Sequence, residues 1–143
     1  MLRTVSWILI VLVGVLNVLG GLASAGVALT GARDQIAGTT IQDLGAGRDE
    51  LVTALRGRRL TAAAYAAGFG VMLIIVAAVP YRRGDVWAWW AILAASLTLS
   101  LLIMARVPFI GRRGGAGTGV LLLAVIVVAL LLDVARLRSP SPS

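Results

Sequence analysis

Four long apolar runs, at about 5–29, 60–79, 86–105 and 114–132, leave this chain few ways to fold. About 20 apolar residues in helical form span the hydrocarbon core of a bilayer, and each run is close to or above that length. The whole chain is 59% hydrophobic and 13% charged over 143 residues, where soluble domains sit near a quarter charged. The expected fold is all-α: an integral membrane four-helix transmembrane bundle, with a short interfacial amphipathic helix between the first two spans. A single four-span domain over 1–138 accounts for nearly the whole length, with a polar loop at 30–59 and a disordered Ser/Pro tail at 139–143.

What the runs lack limits the chemistry. There is no histidine, cysteine or lysine, so His-ligated haem, His- or Cys-bound metals, thiol nucleophiles and an imidazole base are all absent. No acid falls inside a span, whereas proton-coupled pumps carry an ionisable group at depth. The six carboxylates, Asp34, Asp43, Asp49, Glu50, Asp85 and Asp133, stand in loops or at span ends. These absences predict a protein that is not an enzyme and has no catalytic residue, no metal site and no cofactor. The net charge of +7 is all arginine and flanks the spans. Arginine in that position meets lipid headgroups and sets orientation, so the expected partner is the bilayer and not nucleic acid. Arg with no Lys, among abundant Ala, Gly, Val and Leu, matches a GC-rich bacterial source.

Along the chain, the first run has Arg3 before it and Ala23-Ser24-Ala25 near its end, a signal-peptide pattern, but its apolar stretch exceeds a usual h-region. It reads as a retained helix. In the polar loop, RDELVTALRGRR at 48–59 is helix-compatible: Asp49 and Glu50 occupy its first turn and Arg56, Arg58 and Arg59 its end, as the helix dipole favours. This is the predicted interfacial helix. The second run stops at Pro80, and 80–85 predicts a tight turn into the third run. Residues 106–113, with Pro108, predict a second short connection. Gly114 to Gly119 is glycine-rich, but phosphate loops need a preceding strand and, in the P-loop, a lysine; a closely packed helix start is the plainer reading.

Four spans put both termini on one side. The cytoplasmic side holds Arg3, Arg82, Arg83, Arg136 and Arg138 if the termini are inside, or eight other arginines, five of them in the long loop, if they are outside. The short basic turn at Arg82-Arg83 favours the first, and the expected location is the bacterial cytoplasmic (inner) membrane, multi-pass, with cytoplasmic termini.

Few polar side chains interrupt the spans. Asn17 is an amide within the first run and either bonds across helices or contacts a solute. Ser96 and Ser100 lie four apart, on one helix face, and with Asn17, Arg82 and Arg83 are the candidate binding residues. Hydroxyls can also bond back to the preceding turn. Trp87, Trp89, Trp90 and Tyr81 are expected interface anchors. Gly20-x-x-x-Ser24 and Gly21-x-x-x-Ala25 have the spacing that lets helix backbones approach closely, within one chain or between chains.

The turn and aromatic group, Pro80-Tyr81-Arg82-Arg83-Gly84-Asp85-x-Trp87-Ala88-Trp89-Trp90, set in four spans over some 140 residues, resembles that of small bacterial four-helix membrane proteins, broadly DoxX-like. The resemblance implies the span count and size and carries no substrate or catalytic residue. The functional expectation is a non-catalytic scaffold or accessory subunit of a membrane complex, with a membrane-protein partner or a homo-oligomer. An oligomeric passive channel or carrier for a small solute or lipid is the alternative, and a lipid-binding role for Tyr81, Arg82, Arg83 and Asp85 a third reading.

Overall fold

A computed structural model of the chain describes residues 2–31, 35–36, 38–110 and 116–138. The chain is almost entirely helical: α1 (Leu2–Thr30), α2 (Ile41–Leu44), α3 (Asp49–Val76), α4 (Val86–Ile110) and α5 (Ala116–Leu132), with one small antiparallel hairpin of β1 (Gln35–Ile36) and β2 (Thr39–Thr40). Among the described residues, three helices are long and apolar enough to cross a membrane: Leu2–Thr30, Asp49–Tyr81 and Val86–Ala105. Helix α5 is equally apolar but has 17 residues, about 26 Å at 1.5 Å per residue. The tail at 139–143 lies outside the described residues.

Three boundaries differ from those expected. The stretch at 48–59 is not a separate interfacial helix; it forms the first turns of α3, which runs unbroken through Arg59 and Leu60. Nothing in those residues breaks a helix, and Gly57 alone costs only about 1 kcal/mol relative to alanine. Pro80 does not end its helix either. It sits within a π-helical turn, Ala77–Tyr81, whose wider winding tolerates a residue with no N–H to donate. The reversal comes later, at Gly84, where φ is +110° and the Gly84 and Asp85 N–H groups both bond to the Pro80 carbonyl at 3.1 Å. Helix α4 likewise continues past Pro108 to Ile110, within the connection expected at 106–113, and residues 111–115 lie outside the described residues.

The chain divides into two units. The first comprises Met1–Gly14 and Met72–Ser143. Its buried apolar residues include Ile10, Val13, Leu73, Ala77, Ala88, Ile92, Ile126, Ala129 and Leu130. Helices α4 and α5 approach closely at Gly119, where an added Cβ would stand 3.3 Å from Cγ2 of Ile103. Large apolar side chains also face outward, among them Leu101, Leu102, Leu121 and Leu131, each close to 60% exposed or more.

The second unit is Val15–Val71. Here the C-terminal half of α1 packs on α3 through small residues. Gly21 is buried, and a Cβ there would lie 2.7 Å from the Ala63 carbonyl oxygen and 2.9 Å from the Ala67 nitrogen. Helix α1 ends at Gly31, φ +69°, whose N–H bonds to the Val27 carbonyl at 2.9 Å, and the Arg56 guanidinium of α3 lies against that glycine. A cation suits a helix C-terminus. Between the helices, Thr40 caps α2: its hydroxyl accepts from the Asp43 N–H at 3.1 Å and donates to the Asp43 carboxylate.

Candidate functional site

Several polar groups of the first unit gather at one end of it. The last carbonyls of an α-helix have no partner within the helix and need donors from elsewhere. Helix α5 meets this need with two side chains from other helices. The Ser6 hydroxyl donates to the Ala129 carbonyl at 2.6 Å, and the Trp89 indole N–H donates to the Leu130 carbonyl at 3.1 Å. Because the Ser6 proton is committed to Ala129, the contact of 2.6 Å between Ser6 Oγ and the Tyr81 hydroxyl has tyrosine as donor. Ser6 and Tyr81 are fully buried and Trp89 nearly so. Four helix ends thus converge: the start of α1, the end of the π turn, the start of α4 and the end of α5.

The basic turn joins the same end. Arg3 donates from Nη2 to the Arg82 carbonyl at 3.2 Å and passes beside Gly84, where any side chain would collide with its guanidinium. The Arg82 guanidinium stands 5.2 Å from the centre of the Trp7 ring, within range of a cation–π attraction. Arg82 and Arg83 are exposed and, with Ala78 and Val79, line an open depression of about 370 Å³. Trp87 and Trp90 are 58% and 54% exposed at the start of α4. Trp90 meets the buried Trp89 edge-on at 4.8 Å.

The four aromatic residues expected at an interface therefore divide. Trp87 and Trp90 are on the surface; Tyr81 and Trp89 are inside the protein, Trp89 bonded to a carbonyl at the end of α5 and Tyr81 to the Ser6 hydroxyl. Ser96 and Ser100 are both buried in the first unit, and the Ser96 hydroxyl has no hydrogen-bond partner among the described residues. Asn17 belongs to the second unit and is half-buried. Of the small residues of α1, Gly21 touches α3 and Ser24 accepts from Arg59 Nε at 3.4 Å, whereas Gly20 is exposed with open space around it and Ala25 is half-buried. Arg82 and Arg83 are the candidate binding residues brought together with further charge.

Sequence reasoning missed Arg3, Ser6 and Trp7 as members of this group. A lone serine in an apolar run was the available signal for Ser6. Among the described residues, no three carboxylates gather where they could share a metal ion. The chain matches no protein-family model, no curated protein and no solved structure.

Proposed function

We propose that this chain is a multi-pass integral membrane protein that works as a non-catalytic scaffold or accessory subunit of a membrane complex. Three helices of crossing length support bilayer insertion, and α5, at the short end of the roughly 17–25 residue range, supplies a fourth span. The outward Leu, Ile and Val side chains support it too. Burying one such side chain away from water is worth about 1.5–3 kcal/mol, and here lipid or another membrane helix provides the cover. Positive charge at the end that carries Arg3, Arg82 and Arg83 favours placing it in the cytoplasm of a bacterial cell, with both termini.

One observation carries the functional reading: the Ser6 hydroxyl and the Trp89 indole N–H donate to carbonyls at the end of α5 and Tyr81 bonds to Ser6, so this buried polar group serves architecture. A passive channel or carrier built by an oligomer would draw on Asn17, Ser96 and Ser100. The buried Ser96 hydroxyl is the observation in its favour. Purification in mild detergent from the native host, with mass spectrometry of co-eluting proteins, separates the two. A stoichiometric membrane-protein partner is the expected result. A homo-oligomer that passes solute across liposomes, with flux abolished by Ser96→Leu, would replace the scaffold reading with the channel.

A further inference from the structure

We infer that the depression formed by Ala78, Val79, Arg82 and Arg83 is a binding site for one anionic phospholipid, with the headgroup phosphate on the two arginines and an acyl chain along the apolar side chains below them. The inference rests on the bilayer placement proposed above and adds a specific ligand to it.

The depression joins two kinds of chemistry: the exposed guanidiniums of Arg82 and Arg83, its charged rim beside the turn, and the apolar side chains of Ala78 and Val79. Back along the helix from the turn the outward side chains stay apolar: Val79, Ile75 and Met72 are all about half exposed or more. They follow one another at intervals of four and three residues, which is one helix face. A soluble phosphate ester would use only the rim. A phospholipid uses the whole track, because its phosphate and its acyl chains are separated in the same order. Exposed Trp87 and Trp90 at the start of α4 place the rim at headgroup level.

The rim is also prepared for an anion. Arg82 is stacked over Trp7, which limits the rotamers it would otherwise lose on binding. Arg3 is tied to the Arg82 carbonyl and adds a third positive charge beside the turn. Opposing these are two carboxylates at this end: Asp85, exposed in the turn, and Asp133, buried beyond the end of α5. The balance at the rim stays positive. Guanidinium is the better group for the purpose, since its planar fork meets two phosphate oxygens at once.

The test uses the full chain, purified in detergent and stripped of native lipid. Flotation with phosphatidylcholine vesicles comes first; a chain that stays in the aqueous fraction would overturn the bilayer placement itself. Native mass spectrometry then compares phosphatidylglycerol with phosphatidylcholine on the wild type, Arg83→Gln and Arg82→Gln/Arg83→Gln. The wild type should prefer the anionic lipid by about tenfold or more, and each arginine removed should lower that preference about fivefold. Phosphatidylcholine retention should not change. Equal retention of the two lipids by a wild type that floats would overturn the site while leaving membrane insertion standing. So would an undiminished preference in Arg83→Gln, which leaves the Arg82–Trp7 stack in place and so decides the matter even if the double variant fails to fold. A preference abolished by excess inorganic phosphate would assign the arginines to a soluble anion instead.

Discussion

Ser6 touches two helices other than its own. Its oxygen accepts from Tyr81 and its proton goes to the Ala129 carbonyl, each at 2.6 Å and with no exposure to solvent. Ser6→Ala removes both bonds and takes the side-chain donor from the buried Ala129 carbonyl. An unsatisfied buried group costs about 1–3 kcal/mol, so this variant should unfold measurably earlier in a detergent melt followed by circular dichroism. Tyr81→Phe removes the bond to Ser6 and leaves Ser6 bonded to Ala129, a loss of about 1 kcal/mol for that bond. A Ser6→Ala variant that melts together with the wild type would contradict the commitment of this hydroxyl to the Ala129 carbonyl. The sequence marks Ser6 only as a break in an apolar run, because its partners lie 75 and 123 positions away. No local period registers contacts at such separations. Tyr81 and Trp89 misled for a related reason. Amphipathic rings beside a basic turn suit a wet interface, yet the Trp89 N–H equally suits a carbonyl at a helix end and the Tyr81 O–H the hydroxyl of Ser6.

At the scale of elements, the helices were legible and several of their ends were not. Apolar composition alone locates α1, α4 and α5 and the apolar part of α3. It gives no reason to join 48–59 to the apolar run that begins at Leu60, since a change from polar to apolar looks like a boundary even where the backbone continues. Pro80 looks like a stop for an equally local reason, and only the widened turn around it shows otherwise. The small-residue spacing on α1 was visible, but which glycine does the packing depends on helix phase. Gly21, Ser24 and Ala28, at intervals of three and four, share the face turned toward protein, and Gly20 does not. Gly21→Val should therefore force the α1–α3 contact apart, at the roughly 1–3 kcal/mol typical of overpacking, and Gly20→Val should leave the melting temperature nearly unchanged. Equal losses from the two would contradict the close approach of Gly21 to Ala63 and Ala67.

For the whole molecule, the absence of cysteine offers a direct topology assay, because any introduced thiol is unique. Asp85→Cys and Gln42→Cys place that thiol on exposed positions, one in the basic turn and one in α2. With the basic turn in the cytoplasm, an impermeant maleimide should label the Gln42 variant in intact cells and the Asp85 variant only after the membrane is opened. The reverse pattern would put the termini outside, and labelling of both from one side would remove α3 as a crossing helix. This orientation could not be read from the arginine count, because the long polar loop holds as many arginines as the side favoured by the short turn.

The bond from Ser6 to Ala129 also has a history within each molecule. At roughly 5–20 residues per second, the 123 positions between donor and acceptor take roughly 6–25 s to synthesise. Tyr81 emerges partway through that interval and can meet Ser6 at once, so the earlier elements assemble around a hydroxyl whose proton still lacks its native acceptor. Helix α5 arrives last and completes the arrangement.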